Sequence, residues 1–573
     1  MKSINWLMCV FLCVLSIAGV ACGQGVGTSG AISGTVVDPT GAVVEKATVR
    51  AVETAKGIQH STVTDHSGQY RFSGLPPAVY SVTVEAPGFA TEVQNTVVVT
   101  LGETASADFH LTVAAVSSQV EVVEVQAQPS AVDTQLSSQS NTLGQMYINE
   151  LPIDRRDYLT FTLLMPGVSE SSVIADSRSL REKQVPQSGL SFYGNNGRGN
   201  DITVDGGTFN GYSGFVIANV SQDAVQEFQI NRSNYAASLG SASGASINIV
   251  TKSGGNKMHG ALYGFFRNDA LDARDPFAFN QALSPGQPFA LNAQAQPVKN
   301  ALSRQQFGGT IGLPIRRDKT FFFAAYEGLL QDQQASVPLM LNSNIFGPSD
   351  AQAPILGGLA AEGATPVPCR TGQPAVAASV CAGILQNILT ANPSSSPLKQ
   401  FIVNQFETNG GLLPFPRQSH QFSSRLDHIF NDTNQGTLRY VFAHLSQSDP
   451  AIESLTGFSQ AYSELTWTNS LQGSWVHTFN ANMLNEFRAQ WNINQYNFMP
   501  NDPGGPTIAV TGFGSFGRNL TLPNISTERD YEFADNFTHL YGKHMFQMGV
   551  KELLRGNRTA SSTFLGGDFI FGN

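Results

Sequence analysis

The 573-residue chain has 33 basic and 43 acidic side chains, a net charge of −10 and a pI near 5.5, so it lacks the clustered cations that a nucleic-acid partner requires. Charged residues make up 13% of the chain, against roughly a quarter in an ordinary soluble domain, while glycine (55) and phenylalanine (37) are abundant. That balance departs from a cytosolic enzyme and suits strands with one face in lipid and the other in water.

At the N-terminus, Lys2, the apolar run from Trp6 to Val20 and then Ala21-Cys22-Gly23 give the charged, apolar and small-residue regions of a secretory signal. The run falls short of the ~20 apolar residues of a spanning helix. Cleavage is expected after Gly23, the rival reading being a lipoprotein lipidated on Cys22. Cys9, Cys13 and Cys22 lie in or beside this segment, which leaves Cys369 and Cys381 in the mature body. Two nearby cysteines in an exported chain are expected to form a disulfide, two free thiols being the alternative.

Residues 27–114 alternate apolar and polar positions between turns: Ile32 to Val37, then Asp38-Pro39-Thr40-Gly41, Ala47 to Val52, Tyr70-Arg71-Phe72 and Tyr80 to Val84. Such runs predict the half-buried strands of a small β-sandwich. Gly34-x-Val36-x-Asp38, Thr64-Asp65-x-x-Gly68-x-Tyr70-x-Phe72, Leu75, Tyr80 and Gly88-Phe89 resemble the carboxypeptidase regulatory-like domain, an Ig/transthyretin-like sandwich. The likeness is to that accessory fold and not to a catalytic zinc domain. No His-x-x-Glu ligand pair is present, and His60, His66 and His110 are read as surface residues. The similarity reaches to carbohydrate-binding-like folds, although a fold does not establish a ligand.

Residues 115–255 turn to small and polar residues. The run Glu121-Val122-Val123-Glu124-Val125 admits two readings: the last strand of the sandwich, or an exposed segment that adds to the edge of another protein's sheet. In family terms 120–127 resembles a TonB box. Ile148 to Tyr158, Leu163 to Val168, Ile202-Thr203-Val204-Asp205-Gly206, Ala224 to Phe228, Asn234-Tyr235 and Ser243 to Gly254 resemble the plug of Oar-like TonB-dependent transporters. One local departure is Val204 and Gly207 around Asp205-Gly206, where the family more often has Leu and Val. Asp201, Asp205, Glu227 and Arg232 are the residues an acid/base site would draw on, but nothing in the sequence brings two carboxylates together. Gly194 to Gly199 lacks the Lys-Ser/Thr of a phosphate loop and is read as a turn.

From residue 256 onward, strands are expected near 258–268, 304–313, 319–330, 418–430, 436–447, 464–479, 483–496, 529–540 and 544–556. Connections after the second, fourth, sixth and eighth are short and the others long, the asymmetry of an outer-membrane β-barrel. Leu465, Trp467, Leu471, Trp475 and Phe479 share one face while Thr466, Thr468, Ser470, Gln472, Ser474 and Thr478 share the other. Phe487, Ala489, Trp491 and Ile493 likewise oppose Glu486, Arg488, Gln490, Asn492 and Asn494. Phe265 to Arg274, Gln306 to Gly312 and Arg317 to Gly328 also resemble the Oar-like barrel. The connection 331–417 is expected to be an extracellular loop carrying the two cysteines.

The expected fold is therefore mostly β: a small sandwich, an α+β plug and an incomplete antiparallel transmembrane β-barrel. Plugged transporters use about 22 strands, so the chain is expected to be a fragment of a longer product. The resemblance implies a TonB-dependent transporter or receptor in the outer membrane of a Gram-negative-type bacterium, its sandwich and plug on the periplasmic side. It implies a TonB-type inner-membrane partner gripping Glu121 to Val125, contact with outer-membrane lipid, and a ligand meeting loops and lumen. No cofactor, metal or catalytic residue is expected. The alternative is a surface protein that binds carbohydrate or protein without transport.

Overall fold

A computed structural model describes residues 29–113 and, with interruptions of which the longer are 171–189, 338–351 and 391–408, residues 138–571. The first unit holds β1 (Gly30–Val37), β2 (Thr48–Glu53), β3 (Gln59–Val63), β4 (Gln69–Leu75), β5 (Ala78–Glu85), β6 (Glu92–Val99), β7 (Thr104–Ser106) and β8 (Phe109–His110). One sheet runs β4-β1-β7 with β8 also on β1; the other runs β3-β2-β5-β6. Period-two alternation puts Ile32, Val49, Phe72, Tyr80, Val82 and Phe109 between them as one core. The turns form where short acids can bond their own backbone: Asp38 accepts from the amides of Thr40 and Ala42, and Asp65 from those of Ser67 and Gln69. His66 and His110 are exposed, whereas His60 is half-buried rather than on the surface.

The central unit is built from β9 (Gln139–Gly144), helix α1 (Gln145–Glu150), β10 (Asp201–Val204), β11 (Gly207–Thr208), β12 (Val225–Ser233) and β13 (Ser246–Thr251). The sheet order is β11-β10-β13-β12-β9, with β10 and β13 parallel. Ile202, Phe228, Ile230, Ile247 and Ile249 are fully buried on it or nearly so. Between β10 and β11, Asp205 (φ 46°) and Gly206 (φ 79°) both adopt left-handed backbone, which an Asp-Gly pair tolerates and a β-branched residue does not.

The largest sheet among the described residues is antiparallel, with ten strands: β14 (His259–Asn268), β15 (Leu302–Arg316), β16 (Thr320–Val337), β17 (Gly411–Pro414), β18 (Arg417–Asn431), β19 (Asn434–Ser448), β20 (Tyr462–Asn480), β21 (Met483–Pro500), β22 (Asn524–Tyr541) and β23 (His544–Ser561). Apart from β17, a short addition to β16, each strand pairs with its sequence neighbours in order. All nine expected segments are strands, and most run several residues further. The longest extensions, to Val337 on β16, Pro500 on β21, Asn524 on β22 and Ser561 on β23, lie away from the short turns, where the apolar alternation that marks a strand fades. Among the described residues β14 and β23 each pair on one side only.

This wall is inverted relative to a soluble sheet. On β20, Trp467, Leu471, Trp475 and Phe479 are 37–54% exposed, while Ser470 and Gln472 are at most 4% exposed. On β21, Phe487 and Trp491 point out, and Arg488, Gln490, Asn492 and Asn494 are buried. Water would not tolerate a contiguous outer face of this size, whereas hydrocarbon favours it. Aromatic and imidazole rings gather at two levels on that face. Near the short turns Phe430 stacks on Trp475 at 4.8 Å; near the long connections His444 stacks on Trp467 at 3.7 Å. Rings with a polar edge settle at the two membrane interfaces, so the pair of girdles brackets the apolar belt.

The connection between β16 and β18 carries helices α2 (Gln352–Ala361) and α3 (Ala378–Thr390). Cys369 and Cys381 are disulfide-bonded there, with Cα atoms 5.3 Å apart.

Candidate functional site

The inward polar side chains of the wall close on the central unit, and the turn from Asp205 to Tyr212 is the centre of the contact. Asp205 accepts from the Thr251 amide (2.9 Å) and hydroxyl (2.7 Å), and from Arg439 Nη1 (3.1 Å) and Arg425 Nη1 (3.4 Å). Burial alone would raise the pKa of this carboxyl; the two guanidinium groups and the Thr251 bonds hold it below the usual carboxylate range. Arg439 also donates to Gln472 and lies over the Phe209 ring at 5.2 Å, and Gln472 donates to the Asp205 carbonyl.

Thr208 is held by four wall side chains from three strands. Its carbonyl accepts from Gln490 (2.8 Å) and Asn492 (3.2 Å), its amide donates to Glu532 (3.2 Å), and Lys551 donates to its hydroxyl (2.6 Å). Beside it Arg555 donates to the Asn210 carbonyl and Glu528 accepts from the Tyr212 amide. The approach is so close that a Cβ on Gly207 would overlap the side-chain oxygen of Gln490. Gly207, the departure from the family pattern noted above, therefore has a physical cause.

A second contact is centred on Arg156, which pairs with Asp223 (2.5 Å) within the central unit and with Glu327 of β16 (3.3 Å) and covers the Tyr263 ring at 4.4 Å. Tyr263 and Gln306 donate to the same Glu327 carboxylate. A third joins the sandwich to the other two units. The Leu101 amide donates to Glu227 (2.6 Å) while Gln229 donates to the Leu101 carbonyl (2.9 Å). Asn256 bonds the Ala55 and Lys56 carbonyls and Asp318, and Lys56 pairs with Asp427 of β18 at 3.6 Å. Burial pushes Glu227 up to about 7, with Glu103 adding to the rise and the Leu101 amide opposing it.

Three of the four groups weighed as acid/base residues are committed to neighbours: Asp205 and Glu227 as described, and Arg232 to the Pro166 carbonyl and Asn141. Asp201 is buried, which raises its carboxyl to about 6, with Lys551 lowering and Glu532 raising it. Glu121, Val122, Val123, Glu124 and Val125 lie outside the described residues. Sequence reasoning did not find Lys56, Leu101, Asn256, Arg425 or Arg439. The only local signal was the Asp205-Gly206 pair, which marks the turn but not what grips it.

Residues 250–573, more than half of the chain, match the family model for the outer membrane beta barrel domain. The chain belongs to this outer-membrane β-barrel family. Residues 31–112 match the carboxypeptidase regulatory-like domain. The TonB-dependent transporter Oar of Myxococcus xanthus is 26% identical over 312 residues, which is 52% of this chain and 26% of that protein. The outer membrane transporter YddB of Escherichia coli aligns with a TM-score of 0.44 and 11% identity over 73% of this chain and 48% of that one. The siderophore receptor PirA of Acinetobacter baumannii aligns with a TM-score of 0.41 and 12% identity over the same shares. The chain thus spans about a quarter of Oar and about half of those solved chains. As a member of the family, the protein resides in the outer membrane.

Proposed function

We propose that this chain is part of a TonB-dependent outer-membrane transporter, in which residues 115–255 are the plug and 256–573 the beginning of the barrel around it. The observation that carries the reading is the chemistry of the joint. The turn 205–212 meets the wall through hydrogen bonds and ion pairs to Arg439, Gln472, Gln490, Glu532 and Lys551. At this turn water can replace each neutral bond, at about 0.5–1.5 kcal/mol apiece, while Phe323, Val441, Tyr462 and Tyr496 of the wall add a shared apolar core elsewhere in the joint. A stopper that must yield to a pull is served by such a turn, whose contacts with the wall can be exchanged for water one by one.

In this reading the short-turn end faces the periplasm, as does the sandwich. Residues 120–127, with Glu121 to Val125 at their centre, are the segment that the inner-membrane energy-coupling protein grips by strand addition. The energy then comes from that partner. The similarity to Oar supports the coupling, while the solute and its direction of travel depend on lumen and loop side chains.

The test is deletion of residues 120–127 from the full-length protein. Isothermal titration with the periplasmic domain of the host's TonB protein should show binding to the parent and none to the deletion. Undiminished binding by the deletion overturns the coupling role of this segment. Absence of binding by both favours a surface-binding protein that transports nothing.

A further inference from the structure

At the short-turn end, a cavity of about 160 Å³ lies between the three units and is lined among others by the charged residues Glu53, Lys56, Asp205, Arg425, Asp427 and Arg439. Asp205 comes from the central unit, the arginines and Asp427 from the wall, and Glu53 and Lys56 from the sandwich, which closes the cavity from the short-turn side. The sandwich is held there by two latches. One is the loop 53–57: Lys56 is 7% exposed against Asp427, and Asn256 bonds the Ala55 and Lys56 carbonyls. The other is the two-point clamp of Glu227 and Gln229 on the Leu101 backbone.

The apolar cores divide differently from the units. Residues of the central unit share a core with Phe323, Val441, Tyr462 and Tyr496 of the wall. The sandwich core, from Ile32 to Leu111, contains no residue of either. The joints of the sandwich are accordingly the weakest of the assembly, since they break hydrogen bonds that water can replace and expose no shared apolar core.

We propose that the sandwich is a removable lid on the short-turn mouth of the barrel, so that the cavity beneath Asp205 opens to the periplasm only when both latches release. The direction assigned to the mouth rests on the transport reading; the lid itself does not.

Ser474 lines the cavity, and Ser474→Cys in the full-length protein supplies a nearly isosteric reporter, since Cys369 and Cys381 are bonded to each other. The probe is a charged, membrane-impermeant maleimide, with the parent protein as the blank. In detergent micelles, Lys56→Ala with Asn256→Ala should label about tenfold faster than intact latches, the factor expected for loss of about 1.4 kcal/mol of latch energy. Glu227→Ala with Gln229→Ala, at the other latch, should accelerate labelling independently. Heat-modifiable migration on gels confirms that each barrel is folded. Equal labelling rates with intact and loosened latches overturn the lid. In energised cells, labelling with intact latches should fall when a protonophore is added. Acceleration by the latch variants without any protonophore effect supports the lid and counts against energy coupling.

Discussion

Arg439 of the wall and Asp205 of the central turn stand 3.1 Å apart, the arginine 2% exposed, at the point where the polar interior face meets the central unit. Around it the two units are joined by further hydrogen bonds and ion pairs, and they share an apolar core with Phe323, Val441, Tyr462 and Tyr496 of the wall. The energetics of the pair are asymmetric: removing one partner strands a buried charge, while removing both does not.

Asp205→Ala should therefore loosen the central unit by about 3–5 kcal/mol, and Asp205→Leu combined with Arg439→Met should recover most of that loss. Hydrogen exchange of the amides from 201 to 251 reports it. If the single and double variants exchange alike, the pair does not hold the turn in place.

Gly207→Ala should force Gln490 aside and cost the bond from Gln490 to the Thr208 carbonyl, about 1–3 kcal/mol in all. Gln490→Ala removes the obstacle, so the double variant should cost less than the sum of the two singles. Urea melts of the four proteins complete the cycle; strict additivity would show that the close approach is not real.

The outer face of β20 makes a prediction that depends on depth. Leu471 lies midway between the levels of Trp467 and Trp475, and Phe479 lies beyond Trp475 near a short turn. Leu471→Arg should cost about 2–4 kcal/mol of insertion energy and Phe479→Arg no more than about 1. Urea titrations in lipid vesicles measure both, and equal penalties would contradict the belt.

Glu227 makes docking of the sandwich depend on pH. Its carboxyl is pushed from an ordinary value of 4.5 up to about 7 by burial, so the docked state takes up a proton. With the docked value above the free one, its contribution is complete below about pH 4.5 and is lost as the pH rises through about 7. Glu103 stands near it, and Glu53, raised likewise by burial, acts in the same direction at the other latch, beside Lys56 and Asp427. Protection of the Leu101 amide, corrected for intrinsic exchange, should be higher at about pH 5 than at about pH 8, and Glu227→Gln should flatten the difference. A parent protein with the same protection at both values would remove Glu227 from the latch.

What the sequence determined by itself was whatever repeats at short range. Alternation along Leu465 to Phe479 and the turn residues around Asp38 and Asp65 required no partner to be legible, because side-chain direction in a strand has a period of two and short acids bond their own backbone. The long and short spacing of the connections then distinguished a membrane wall from a soluble sandwich. Only the tertiary structure decided which residues carry the joints. Asp205 and Arg439 are 234 positions apart, and Leu101 and Glu227 126, so nothing local in either neighbourhood encodes its partner. Gly207 shows the same division. Its lack of a side chain was visible as a departure from pattern, but the reason, the amide of Gln490 pressed against it, exists only once the wall has folded around the turn.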